Sequence, residues 1–163
     1  MLGRKIMELI LNAQLLKCKK LCNDAKLPTK NDGDIGWDIC CIKNEGFMYS
    51  ATAWYYELEP GESHIFHTGL ATAIPKGYAA LLWDRSGMGA KKKIHRLAGV
   101  IDSSYRGEWM VCLVNHSNEV HHINAGDKIV QFIIQKEHEI VPHWVDDLNE
   151  TERGEKGFGS SGR

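Results

Sequence analysis

The chain lacks any apolar run long enough to cross a bilayer, so no membrane-spanning segment is expected. Positive charge comes early, but Glu8, Asn12 and Gln14 interrupt the apolar stretch behind it, which does not fit a signal peptide. Net charge is nearly absent as well: 20 Lys and Arg against 21 Asp and Glu leave −1. Without a broad basic footprint the chain is not expected to grip nucleic acid. Paired Cys-x-x-Cys elements at zinc spacing are missing too, and the five cysteines (Cys18, Cys22, Cys40, Cys41 and Cys112) are odd in number. They read as reduced thiols of a cytoplasmic protein, or of a host cytoplasm if the chain is virally encoded.

What is present fits one globular domain. The 163 residues are 43% hydrophobic and 25% charged, ordinary values. A chain this long buries enough surface to need no staples. Residues 1–13 space Leu2, Ile6, Leu9, Ile10 and Ala13 at near-helical intervals, as a short amphipathic helix or an extension that packs only in an oligomer. From residue 14 the pattern changes. Apolar runs predict strands at Leu15–Leu21, Ile35–Ile42, Tyr55–Leu58, His64–Ala73, Tyr78–Trp83, Glu108–Asn115, Lys128–Gln135 and Ile140–Trp144. Turn clusters such as Asn31–Asp34, Glu59–Glu62 and Pro75–Gly77 separate them. Ser86–Ala90 is Gly-rich and predicts a short helix between Arg85 and Lys93. His116, His121 and His122 read as surface residues of a loop with Asn118 and Glu119. Many short strands with Gly/Pro turns imply an all-β sandwich or barrel spanning residues 14–148.

Two stretches carry chemistry. Ala98 to Trp109 (AGVIDSSYRGEW) places a short polar turn between apolar runs and predicts a β-hairpin. It offers backbone groups to a flat polar ligand, a carboxylate at Asp102 and a ring at Tyr105, the parts a small-nucleotide site needs. Residues 149–163 cannot bury a core, yet they hold phosphate-binding tools. Gly157 and Gly159 permit close backbone approach, Ser160 and Ser161 donate hydroxyls, Arg153 offers a forked cation, and Phe158 can stack on a base. Lys91, Lys92 and Lys93, near Arg85 and Arg96, form a basic patch that suits a small polyanion, or a solvated loop.

Five segments in order resemble the homotrimeric deoxyuridine triphosphatases (dUTPases). They are Gly36-Trp37-Asp38-Ile39; Arg85-Ser86-Gly87; Ala98 to Glu108; Gly126-Asp127-Lys128-Ile129-Val130-Gln131; and Arg153-Gly154 with Gly157-Phe158-Gly159-Ser160-Ser161-Gly162. The resemblance implies a distorted, jelly-roll-like β-barrel with a short helix and a flexible C-terminal arm. It implies hydrolysis of dUTP to dUMP, a precursor for thymidylate synthesis, and pyrophosphate.

In that reading Asp102 aims water at the α-phosphorus, Gln131 helps order the water or the base, and Tyr105 packs beneath the deoxyribose. The backbone around Val100, Ile101 and Met110 reads uracil, and Arg85, Ser86 and Gly87 hold phosphates. Asp38 lies near Mg²⁺ through water. Phe158 covers the base while Arg153, Gly159, Ser160 and Ser161 close on the phosphates. The resemblance also implies a homotrimer whose sites are shared between subunits. Triphosphate hydrolysis needs charge neutralisation above all, which Mg²⁺ and arginine supply.

The chain departs from the family pattern in places. Asp84 stands where Pro is usual and would pair with Arg85 or orient it. Met88-Gly89 replaces Leu-Ala, and Arg96 replaces a small or amide residue near the base. A dCTP deaminase or dual dCTP/dUTP-acting relative, and a nucleotide-gated regulatory protein, are the competing readings. The Asp102 and Tyr105 pair with its Phe158 tail disfavours the deaminase, which needs a glutamate acid/base.

Overall fold

The computed structural model describes residues 15–156. The predicted N-terminal extension therefore lies outside the described residues, as do Phe158, Gly159, Ser160 and Ser161. Among the described residues twelve strands form: β1 (Lys17–Lys20), β2 (Trp37–Cys40), β3 (Met48–Tyr49), β4 (Trp54–Leu58), β5 (Ser63–Phe66), β6 (Leu70–Ala73), β7 (Tyr78–Asp84), β8 (Ile94–Leu97), β9 (Val100–Ile101), β10 (Val111–Asn115), β11 (His121–Asn124) and β12 (Lys128–Lys136). They pair antiparallel in four small sheets, ordered β1-β6, β5-β10-β8, β11-β4-β3 and β2-β12-β7-β9. This is the all-β architecture that the alternation of short runs and turns predicts, in the jelly-roll-like form that the family resemblance implies.

Side-chain alternation aims one face of each strand inward. On β7, Ala80 and Leu82 are buried while Trp83 faces out. The core gathers Leu58, Phe66, Ile94, Trp109, Leu113, Ile123, Ile129, Val130 and Phe132, and Leu70 of β6 adds the fourth sheet. Trp109 meets Phe132 edge-on at 5.1 Å between ring centroids, a favoured aromatic geometry. Asn115, wholly buried, is satisfied: its amide donates to the carbonyls of Leu58 and Glu119, and its oxygen accepts from Ser117. All five cysteines are free thiols.

Several sequence expectations need correction. His64–Ala73 is two strands, because Thr68 and Gly69 turn the chain between sheets and their N–H groups go to Glu108 instead of a ladder. Ile140–Trp144 forms no strand; Ile140, Val141 and Trp144 stand exposed with no neighbouring strand to pair with. His121 and His122 lie on β11, paired with β4, rather than in a loop. The predicted short helix is a single π-type turn, Gly87–Lys91, closed by Lys92 N–H to the Gly87 carbonyl. The predicted hairpin at Ala98 to Trp109 is not a paired ladder. Its two arms part: β9 pairs with β7, Glu108 bridges to Ala71, and β10 joins β5 and β8. Apolar alternation marks both arms as strands but says nothing about which strand each one pairs with.

Candidate active site

The parted turn makes a depression. Val100, Ile101, Asp102, Tyr105, Glu108 and Met110 line an open hollow of about 180 Å³. Five of the residues expected to meet the base, sugar and attacking water, Val100, Ile101, Asp102, Tyr105 and Met110, are thus together, while Gln131 is not among them and Phe158 lies outside the described residues. The backbone leads in through Ala98 and Gly99, both at positive φ (66° and 134°). A side chain at Gly99 would also crowd Leu82 Cβ at 3.1 Å. Asp102 is exposed at the lip, and its carbonyl accepts the Tyr105 N–H at 3.1 Å. The Tyr105 hydroxyl donates to the Glu108 carbonyl at 2.9 Å, laying the ring across Gly107. A Cβ at Gly107 would sit 2.6 Å from the ring's Cζ, so only glycine leaves the ring its seat.

Glu108 ties this turn down, a role the sequence reading did not assign. Its carboxylate accepts the N–H of Gly69 at 2.7 Å and of Thr68 at 3.1 Å, and faces His67 Nδ1 at 2.8 Å. Thr68 Oγ1 donates to the Trp109 carbonyl at 2.6 Å. Burial pulls the Glu108 carboxyl upward, but the donors from Gly69, His67 and Thr68 outweigh it and hold it below its usual range. These contacts cross about forty residues of sequence, so no local spacing announces them.

A second cluster forms at the far end of β7. Arg85 Nε donates to Asp38 Oδ1 at 2.7 Å, and Lys128 Nζ donates to Asp38 Oδ2 at 2.9 Å. Arg85 Nη1 also reaches the Lys128 carbonyl at 3.1 Å. Gln131, paired in register with Asp38 and Trp83, donates to the Asp84 carbonyl at 2.9 Å. Residues three apart on a regular strand face opposite ways, yet Lys128 and Gln131 both serve this cluster. The register shift between Lys128 and Val130 supplies the extra residue that brings them to one side. Gly36 completes the packing: a Cβ there would overlap the Gln131 amide oxygen and lie 2.9 Å from its Cδ. Ser86 and Gly87 are exposed at the start of the π-type turn, open to a ligand. Lys128 was quoted in the sequence only as part of a segment; its ion pair to Asp38 depends on the bulge.

Asp84 does not pair with Arg85. Its carboxylate turns instead to His95 Nδ1 at 2.6 Å and the Arg96 N–H at 3.0 Å. Arg96 lies over Trp83, with Cζ 5.6 Å from the ring centroid, and its Nη1 donates to the Ala98 carbonyl. It braces the lead-in to β9 from outside the base hollow. Arg153 is exposed in a short turn, its Nε 3.2 Å from the Lys156 carbonyl.

The two clusters sit apart on one chain. Ile101 is opposite Ala80, so Asp102 lies level with Ala79, six residues of strand from Arg85. That is about 20 Å, longer than a nucleotide's phosphate chain reaches.

The fold and the paired clusters define a β-barrel nucleotide-binding protein with an acidic pocket and a separate cationic one. The chain belongs to the dUTPase family, whose model matches residues 24–162. It is 38% identical over 152 residues to the deoxyuridine 5'-triphosphate nucleotidohydrolase of Haemophilus influenzae (strain PittEE), covering 88% of this chain and 92% of that one. Its fold matches the Staphylococcus bacteriophage 80alpha dUTPase with dUPNHPP at a TM-score of 0.75 and 28% identity, over 93% of this chain and all of that one. It also matches a dUTPase mutant of S. aureus phage phi11, in which a structural Mg(II) ion is coordinated, at a TM-score of 0.62 and 26% identity, over 87% of this chain and 99% of that one. Among the described residues no helix is long and apolar enough to cross a membrane.

Proposed function

We infer that the chain is a dUTP diphosphatase, releasing dUMP and pyrophosphate from dUTP. The observation that carries this reading is the hollow in which Asp102, Tyr105, Val100, Ile101 and Met110 converge. Backbone N–H and C=O groups beside Val100, Ile101 and Met110 read the uracil edge. A base with the wrong donor pattern leaves a buried group unpaired, at a cost of roughly 1–3 kcal/mol. Tyr105, held flat over Gly107, supports the sugar where a 2′-hydroxyl would collide. Asp102, at the lip, accepts a proton from the water that attacks the α-phosphorus. The water oxygen bonds to phosphorus, and the bond from α-phosphorus to the bridging oxygen breaks as pyrophosphate leaves. Gln131 helps order the water or the base from the second cluster.

Arg85, Ser86 and Gly87 receive the phosphates. Because this group lies about 20 Å from Asp102 along β7, one chain does not close a site. A homotrimer that sets the Asp102 hollow of one subunit against the Arg85 cluster of the next resolves the separation, with residues from Arg153 onward of a subunit closing on the phosphates.

Among the described residues no three His, Cys, Asp or Glu side chains cluster as metal ligands, and both Asp38 oxygens already accept from cations. Asp38, whose oxygens keep further lone pairs, would hold a water of a Mg²⁺ ion that takes its other oxygens from phosphate and water. Bound there, the ion would neutralise phosphate charge. The five free thiols fit a reducing compartment such as the cytoplasm.

Pyrophosphate release with Mg²⁺ across dUTP, dCTP, dTTP and UTP tests the substrate. A preference for dUTP and a kcat loss of roughly 10²–10⁴ in Asp102→Asn support the reading. Ammonia release from dCTP would replace it with a deaminase. Mixing inactive Asp102→Asn and Arg85→Ala subunits tests the shared site. Random trimers restore about one quarter of wild-type activity if neighbours pool these residues, and no recovery would rule the sharing out.

A further inference from the structure

We propose that the Asp84 side chain is a positioning group for the phosphate end of the site, acting through His95 and the Arg96 N–H; this deepens the dUTPase reading and rests on it for the identity of the substrate. Asp84 ends β7 directly before Arg85, and three contacts join it to two other strands, β8 and β12. Its backbone carbonyl accepts the Gln131 side-chain N–H at 2.9 Å, which fixes that amide from β12. One carboxylate oxygen meets His95 Nδ1 at 2.6 Å, and the other accepts the Arg96 N–H at 3.0 Å, which binds the start of the phosphate loop to β8. The side chain is largely covered and is turned away from Arg85. Arg85 is thereby left to Asp38 and to incoming phosphate, with no carboxylate from its own neighbour to neutralise it.

Gly89 belongs to the same device. A Cβ at position 89 would lie 3.2 Å from Asp84 Cβ, tighter than most such contacts, and 3.4 Å from Oδ2, close to ordinary contact. A side chain there would crowd Asp84 at its Cβ, the root of the carboxylate that reaches His95. The two departures at 84 and 89 are therefore one packing solution: an acid at the strand end and the space in the following turn that it needs. A proline holds a loop by fixing its own φ; Asp84 holds the loop by tying it sideways to β8. The consequence is specific. Loss of the tie should loosen Arg85, Ser86 and Gly87 while leaving the Asp102 hollow intact, because Arg85 and Asp102 lie at opposite ends of β7.

The test uses Asp84→Ala, Asp84→Asn, His95→Ala and the double variant Asp84→Ala/His95→Ala in the full-length protein. Steady-state kinetics with dUTP and calorimetric binding of inorganic pyrophosphate with Mg²⁺ are measured well below each variant's Tm. Asp84→Ala is expected to raise KM for dUTP and Kd for pyrophosphate about tenfold, the lower end of losses seen when a supporting side chain is removed from behind a site, with a much smaller change in kcat. Asp84→Asn keeps an oxygen for the Arg96 N–H and an amide for His95, and should recover most of the loss. His95→Ala should reproduce part of it, and the double variant should be no worse than Asp84→Ala, since both changes cut one connection. Unchanged KM and Kd in Asp84→Ala would overturn the proposal even if Tm falls, because that pattern is purely structural. So would additive losses in the double variant. Should the wild-type protein fail to hydrolyse dUTP, the functional reading falls, and the pyrophosphate series still decides the role of Asp84.

Discussion

His67 Nδ1 and Glu108 Oε2 lie 2.8 Å apart, joining the corner between β5 and β6 to the turn that carries Tyr105. This contact gives the fold an acid sensitivity of calculable sign. Glu108 is held below its ordinary value of 4.5, so as pH falls past 4.5 the unfolded chain binds a proton that the folded chain does not. Stability drops through that window until the lower folded value is passed. His64, stacked on Tyr56 at 3.8 Å, is pushed below 6.5, chiefly by burial. It too is protonated first in the unfolded chain, so its loss begins just under pH 6.5. Urea midpoints measured from neutral to acid pH should decline in these two windows. His64→Phe should flatten the upper one and Glu108→Gln the lower. Glu108→Gln should also cost on the order of 1–3 kcal/mol at neutral pH, because the Thr68 and Gly69 N–H groups lose a charged acceptor.

Asp38 holds two cations with its two oxygens, and this sets what its removal does. Asp38→Ala releases Arg85 Nε and Lys128 Nζ from a fixed position. The extra positive charge should help a triphosphate to arrive, while Arg85 is no longer aimed at it. The expected net result is a fall in kcat/KM of roughly 10–100-fold and a higher Mg²⁺ concentration for half-maximal rate. A Mg²⁺ titration of kcat/KM in wild type and variant checks both. A variant with unchanged Mg²⁺ dependence would remove Asp38 from the neighbourhood of the ion.

Gly36 makes a sharper geometric prediction. Any Cβ there collides with the Gln131 amide, which is anchored to the Asp84 carbonyl. Gly36→Ala should therefore expel Gln131 from its place and lower turnover about tenfold. Gln131→Ala should lower it similarly, and the double variant should match either single change, because all three remove the same amide. Turnover assays on the three proteins decide the point; additive losses would mean that Gly36 matters for another reason.

The grouping of the candidate site's residues was legible in the sequence where they are contiguous and hidden where it depends on strand pairing. Val100 to Met110 is contiguous, so its residues fall into one hollow however its arms pair. That the arms join different sheets was not legible, since apolar alternation is the same for either partner. The cluster of Asp38, Arg85 and Gln131 was visible only as separate segments, and Lys128 entered it through a bulge, which leaves no signature in side-chain pattern. Adjacency in sequence suggests that Asp84 pairs with Arg85 or orients it. Their side chains in fact diverge, and its partner His95 lies across a turn. Ile140–Trp144 looked like a strand from composition alone, but β-rich residues form strands only where a neighbour accepts their hydrogen bonds.

Removing residues 153–163 separates folding from catalysis. The last strand, β12, ends at Lys136, and residues 137–156 carry no strand or helix, so the barrel does not depend on them. A chain ending at Glu152 keeps the apolar side chains Ile140, Val141, Trp144 and Leu148, which stand exposed, and loses Arg153 together with Phe158, Gly159, Ser160 and Ser161. Its far-ultraviolet circular dichroism and Tm should match those of the full chain. Its kcat should fall by roughly 10²–10³, the loss typical of deleting a charged donor from a developing phosphate charge. Adding excess substrate should not restore the rate on the proposed mechanism, in which the missing groups act after binding by excluding water and completing the charge on the triphosphate. A truncated chain that turns over dUTP at the full rate would show that Asp102, Arg85 and their neighbours suffice, and would remove the tail from the mechanism.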